Sequence, residues 1–105
     1  MAKTKVHAGI CQFSTVITAE LEDDGQTVDI NLNTTCPNIS KAVDELQKVD
    51  SFKELFSKLH ETDTYKILSP HIPHAACPIY SGVLKAIEVA ADMALPADST
   101  IEVEN

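Results

Sequence analysis

Apolar and polar residues alternate from Cys11 to Leu21: Cys11, Phe13, Thr15, Ile17, Ala19 and Leu21 fall on one side, Ser14, Thr18 and Glu20 on the other, with Val16 the exception. That period of two predicts a β-strand with one buried face. Glu22-Asp23-Asp24-Gly25-Gln26 follows, and its Asp-Gly pair supplies residues that tolerate the positive φ of a tight hairpin turn. Beyond it Val28, Ile30, Leu32, Thr34 and Cys36 alternate with Asp29, Asn31, Asn33 and Thr35, so a second, antiparallel strand is expected. With Asp24 and Gly25 as the turn residues, Phe13 pairs with Cys36 and Cys11 becomes its diagonal neighbour. With Asp23 and Asp24 there instead, Cys11 and Cys36 stand directly opposite. Both registers put the two sulfurs on the same apolar face, because a one-residue slip of either strand alone turns its apolar set outward.

After Cys36 the period lengthens. Cys36-Pro37 ends the strand and opens a predicted helix to about Val49, with Ile39, Val43 and Leu46 as its inner stripe. Ser51-Phe52-Lys53-Glu54 has the form of a capping box and predicts a second helix, ending near His60, with Phe52, Leu55, Phe56 and Leu59 inward. Residues 62–69 suit a short helical turn. Pro70, Pro73 and Pro78 punctuate an extended loop before the longest helical pattern, whose apolar face is Ile79, Val83, Leu84, Ile87, Ala90, Ala91 and Ala94, with Pro96 as its stop. Ser99 to Glu104 reads as a final strand with Ile101 and Val103 on one face. The order β-β-α-α-α-β predicts an α/β (α+β) two-layer sandwich: a small sheet with an N-terminal antiparallel hairpin, covered by helices on one face.

Length and charge narrow this picture. A chain of 105 residues suits one domain spanning 1–105, and none of its apolar runs approaches the roughly 18 residues of a spanning helix, so no membrane partner is expected. Met1-Ala2-Lys3-Thr4-Lys5 leads straight into alternating residues, and a cytoplasmic location is the expectation. Eight basic against sixteen acidic residues give a net charge of −8, which repels phosphate backbones and argues against nucleic acid as a partner. A small sheet leaves edges that a second copy can pair with, which makes a homodimer one expectation.

Three cysteines are an odd number, so at least one has no partner within the chain, and in a reducing compartment all three stay thiols. Cys77-Pro78 repeats the design of Cys36-Pro37, a cysteine where a helix begins, a setting that favours the thiolate. If the last helix starts near the Cys11/Cys36 end of the hairpin, three sulfurs meet in one pocket. His71-x-x-His74-x-x-Cys77 adds imidazoles at spacings suited to a metal. Cys11, Cys36, Cys77 and His74 are therefore the candidate ligands: three thiolates and an imidazole satisfy tetrahedral zinc, and three thiolates alone hold an iron–sulfur cluster with an open corner. A second reading is thiol redox or sulfur-carrier chemistry, with Cys77 as nucleophile, Cys36 or Cys11 as resolving thiol and His74 as proton acceptor. A third is a structural or interaction module in which the cysteines simply pack in the core. His7 and His71 read as surface residues and His60 as a partner of a helix C-terminus. The chain has no Cys-x-x-Cys pair, no four-cysteine run and no glycine-rich phosphate loop, so any site is assembled by the fold.

The segment from His74-Ala75-Ala76-Cys77-Pro78 through Ala91, taken with Ala8-Gly9-Ile10-Cys11 and Thr35-Cys36-Pro37, resembles a family of small uncharacterised prokaryotic proteins of about this length. The resemblance covers nearly the whole chain. It implies that Cys11, Cys36 and Cys77 belong together and implies no particular chemistry. Cys77-Pro78-Ile79-Tyr80 is also similar, in its first two residues, to the Cys-Pro-x-Pro motif of small sulfur-carrier proteins, in which a cysteine at a helix start holds a persulfide; Tyr80 stands where the second proline would be.

Overall fold

The computed structural model describes all 105 residues, Met1–Asn105. Four antiparallel strands form a meander in the order β1-β2-β3-β4: β1 (Ala2–His7), β2 (Ser14–Leu21), β3 (Thr27–Thr34) and β4 (Lys48–Asp50). Four helices accompany them, α1 (Pro37–Ser40), α2 (Ser51–Phe56), α3 (Asp63–Leu68) and α4 (Ile79–Ala90), with a 3₁₀ turn at Leu59–Glu61. The expected mixed α/β fold with its hairpin is present. None of the helices is long and apolar enough to cross a membrane.

The β2–β3 hairpin adopts the register centred on Asp24 and Gly25, pairing Ile17 with Leu32 and Leu21 with Val28. Gly25 takes the positive φ of 72° that the turn requires. Asp24 Oδ1 accepts from the amides of Gln26 and Thr27, both at 2.9 Å, and its other oxygen accepts from the Thr27 hydroxyl at 2.6 Å. These bonds hold the Asp24 carboxyl below its ordinary pKa, the Thr27 hydroxyl contributing most. Thr15, Ile17 and Ala19 of β2 and Val28, Ile30 and Leu32 of β3 are buried on one face. Against them pack Ile39, Ala42, Leu46 and Leu68, and from α4 the residues Ile79, Val83, Ala86 and Ile87 at helical spacing.

The structure departs from the sequence reading in five places. Residues 2–7 form an extra strand paired with β2, in which Ala2, Thr4 and Val6 alternate with the exposed Lys3, Lys5 and His7. Cys11 is not in β2: it lies in the loop joining β1 and β2, where Gly9 and Gln12 take φ of 97° and 62° and the amide of Gln12 donates to the Gly9 carbonyl at 2.9 Å. The helix expected to reach Val49 stops at Ser40 and continues as turns, because residues 48–50 are drawn into the sheet, where Val28 pairs with Val49. In α2 the buried residues are Ser51 and Glu54, while Phe52 and Phe56 are exposed. Asp50, not Ser51, caps this helix, accepting from the amide of Phe52 at 3.0 Å. Finally, α4 ends at Ala90, where Asp92 at φ 60° and a bond from the Met93 amide to the Glu88 carbonyl close it, so residues 99–104 form no strand and are exposed.

Candidate functional site

Three separate stretches of chain converge at one end of the sheet. The β1–β2 loop brings Ala8, Cys11 and Phe13; the end of β3 and α1 bring Cys36, Asn38 and Ile39; the proline-rich approach to α4 brings Ile72, Pro73, His74, Cys77 and Ile79. With Val6 and Thr15 they enclose a cavity of about 220 Å³. All three cysteines and His74 therefore line one space, although Cys11 and Cys36 both lie outside the paired strands, so strand parity is not what brings them together. The cysteines are free thiols, each half-buried, and His74 is exposed at the rim.

Local sequence explains how each group is held. Thr34 and Thr15 join their hydroxyls across the hairpin at 2.8 Å, and Thr34 Oγ1 also accepts from the Cys36 amide at 3.0 Å, fixing where Cys36 leaves the strand. Pro37 then opens α1 with Cys36 at its cap. Cys77 lies immediately before Pro78, the cap of α4, and the amide of Ile79 donates to its sulfur. Cys11 depends on the positive-φ pair Gly9 and Gln12, which tighten its loop.

The electrostatics run opposite to the expectation from helix starts. Burial pushes the Cys77 thiol above its ordinary pKa; the Ile79 amide pulls it down, and the neighbouring Cys36 and Cys11 push it up further. The Tyr80 phenol is raised as well, first by burial and then by Cys77 and Tyr65, whose ring centroid lies 5.6 Å from its own. At α1 the four-residue helix is too short to carry much of a dipole. No lysine lines the cavity, and His74 is the one basic side chain among its lining residues. As they stand, the histidine, cysteine, aspartate and glutamate side chains form no group of three or more arranged to hold a metal ion. The thiols share a space without being closed on a common point.

The other histidines lie elsewhere. His71 Nε2 meets Glu45 Oε2 at 2.7 Å, His7 Nδ1 meets the Ser14 hydroxyl at 3.2 Å, and His60 sits exposed in the 3₁₀ turn. A more open groove of about 450 Å³ between β3, Val43 and β4 contains no cysteine or histidine; its charged residues are Asp29 and Lys48, and Lys48 bonds both Asp29 and Glu22. Sequence reasoning missed Asn38 and the wall made by Ala8, Ile72 and Pro73, since a loop without periodicity gives no sign of the direction in which it folds back.

The chain is thus a mixed α/β protein with a three-cysteine cavity where its central hairpin meets the start of its longest helix. It belongs to the family of unknown function DUF6951, whose model matches residues 2–103. Searches of curated proteins and of solved structures find no match.

Proposed function

We propose that this protein binds a thiophilic metal centre, zinc or an iron–sulfur cluster, through Cys11, Cys36 and Cys77, in a reducing compartment such as the cytoplasm. The observation that carries the reading is the convergence of all three cysteines, from loops and termini far apart in sequence, on one cavity. His74 on the same rim supplies the fourth donor that tetrahedral zinc requires. The raised pKa of Cys77 fits the same reading: burial first, and then the neighbouring Cys36 and Cys11, disfavour its thiolate, and a bound cation offsets that penalty by displacing the proton. Ligation requires the cysteine side chains to move toward a common point, which they do not share as they stand.

Thiol chemistry at Cys77 is the weaker reading. A nucleophilic cysteine needs a depressed pKa, and burial drives this one the other way.

The test is elemental analysis, an ultraviolet-visible spectrum, acid-labile sulfide and free-thiol titration on protein purified without oxygen or chelator. About one zinc per chain, absent from a folded Cys77→Ala variant, is the expected result for a mononuclear site; iron with equal sulfide identifies a cluster. Three freely titrating thiols with no metal overturn the proposal.

A further inference from the structure

The last segment of the chain has the sequence of a strand without a partner. From Leu95 to Asn105 every residue is exposed, and no main-chain hydrogen bond involves a residue beyond Met93. Yet Thr100-Ile101-Glu102-Val103-Glu104 alternates polar residues with the apolar, β-branched Ile101 and Val103, which are 75% and 88% exposed. At the opposite edge of the sheet, β1 is paired with β2 alone, and its other main-chain edge is free. Its exposed side chains at Lys3 and Lys5 are spaced as Glu102 and Glu104 are.

We propose that Thr100–Glu104 of one copy adds as a fifth strand to the β1 edge of a second copy, so that two chains exchange tails in a symmetric dimer. Entering antiparallel, like every other neighbour in the sheet, the segment sets Glu104 opposite Lys3 and Glu102 opposite Lys5 on the outer face. In that register Val103 falls opposite Thr4 and Ile101 opposite Val6 on the helix-covered face. The polarity matches on both faces at once, which a one-residue slip destroys. Thr4 and Val6 are only half-buried although they face α4, so the added apolar pair covers them further.

The occupant is a second copy for a geometric reason. Ile79, the first residue of α4, shares the cavity wall with Val6 and Ala8, while Gly82, one turn further on, accepts from Thr4, so α4 runs from the His7 end of β1 toward its Ala2 end. A tail leaving that end has to double back along its own β1 to pair antiparallel, whereas the tail of a facing copy enters directly. The exchange is isologous and closes at two chains.

Sedimentation equilibrium or light scattering decides it. The full chain is expected at twice its 11.4 kDa in the micromolar range, and a chain ending at Asp98, which loses no core contact, at one chain mass. Replacing Lys3 and Lys5 together by Glu raises the dimer dissociation constant about tenfold or more, and adding Glu102→Lys with Glu104→Lys restores it. A monomeric full chain overturns the proposal, and tail amides protected from hydrogen exchange in that monomer would place the strand on its own β1. A dimer that survives truncation, or a charge reversal without rescue, overturns the pairing.

Discussion

The hydroxyl of Thr4 donates to the main-chain carbonyl of Gly82 at 2.8 Å, tying β1 to α4. The approach is possible because residue 82 has no side chain: a Cβ there would stand 2.2 Å from Val6 Cγ2 and 3.3 Å from Ile17 Cδ1. Gly82→Ala is therefore expected to destabilise the fold by about 1–2 kcal/mol, overpacking outweighing the better helix propensity of alanine. Adding Val6→Ala should return part of that loss. Urea unfolding of the single and double variants checks it, and additive losses would refute the steric explanation.

Glu54 is 2% exposed, and its carboxylate is fully occupied: Oε1 accepts from the Asp63 amide at 2.7 Å, while Oε2 accepts from the Thr64 amide at 3.0 Å and hydroxyl at 2.6 Å. It closes the start of α3, the job of a side-chain cap, from outside that helix. Glu54→Ala leaves these donors without a partner and should cost about 1–3 kcal/mol. Glu54→Gln keeps the shape but turns an amide donor toward one of them and should also lose stability. Thermal denaturation that leaves either variant at the parent Tm would contradict this role.

Asp24 contributes an acid limb to stability. Its pKa is lowered in the fold, so the unfolded chain takes up the proton first: the stabilisation is present above the ordinary value of 3.8 and is lost as pH falls through the folded value. Asp24→Asn should flatten the acid side of the stability profile and leave the neutral-to-alkaline side parallel to the parent. Equilibrium unfolding across pH 2 to 6, a window set around the ordinary carboxylate range, measures it.

The alkylation of Cys77 should lag that of an unhindered thiol at neutral pH and rise only above the ordinary value of 9.0, because burial, aided by its two neighbours, keeps it protonated. Cys36→Ala and Cys11→Ala remove the neighbours' share and should shift the profile toward lower pH. The same raised value means that stability is fully present below pH 9.0 and declines as pH rises above it, since the unfolded chain releases this proton first. Mass spectrometry of iodoacetamide-treated protein reads the rate site by site; a fast reaction at Cys77 near pH 7 would favour carrier or nucleophile chemistry.

Local patterns were readable where they also satisfied the tertiary structure. The register of β2 and β3 follows from Asp24-Gly25 and the alternation around it, and α4 from apolar residues three and four apart. The strand at 2–7 carries the same alternation, Ala2, Thr4 and Val6 between Lys3, Lys5 and His7, but went unread because only two of its inward residues are apolar. The stripe Phe52-Leu55-Phe56-Leu59 misled because α2 ends after six residues, leaving Glu54 inside to serve α3. Lys48–Asp50 is too short for a period to show. The two Cys-Pro steps marked Cys36 and Cys77 beside helix starts, but strand parity misplaced Cys11, since the positive φ of Gln12 that folds its loop has no marker in the sequence.

Between Cys11 and Cys36 lies a whole hairpin, and between Cys36 and Cys77 lie three helices and a strand. The cavity consequently has no local precursor: a chain halted before residue 77 has two of its thiols and lacks the wall that Cys77 and Ile79 complete. If the proposed ion binds, one that needs all three sulfurs would have to reach a finished fold, because Cys77 is the last of the three in the chain. Occupancy would then act as a certificate of correct assembly, surrendered first by chains that have begun to come apart.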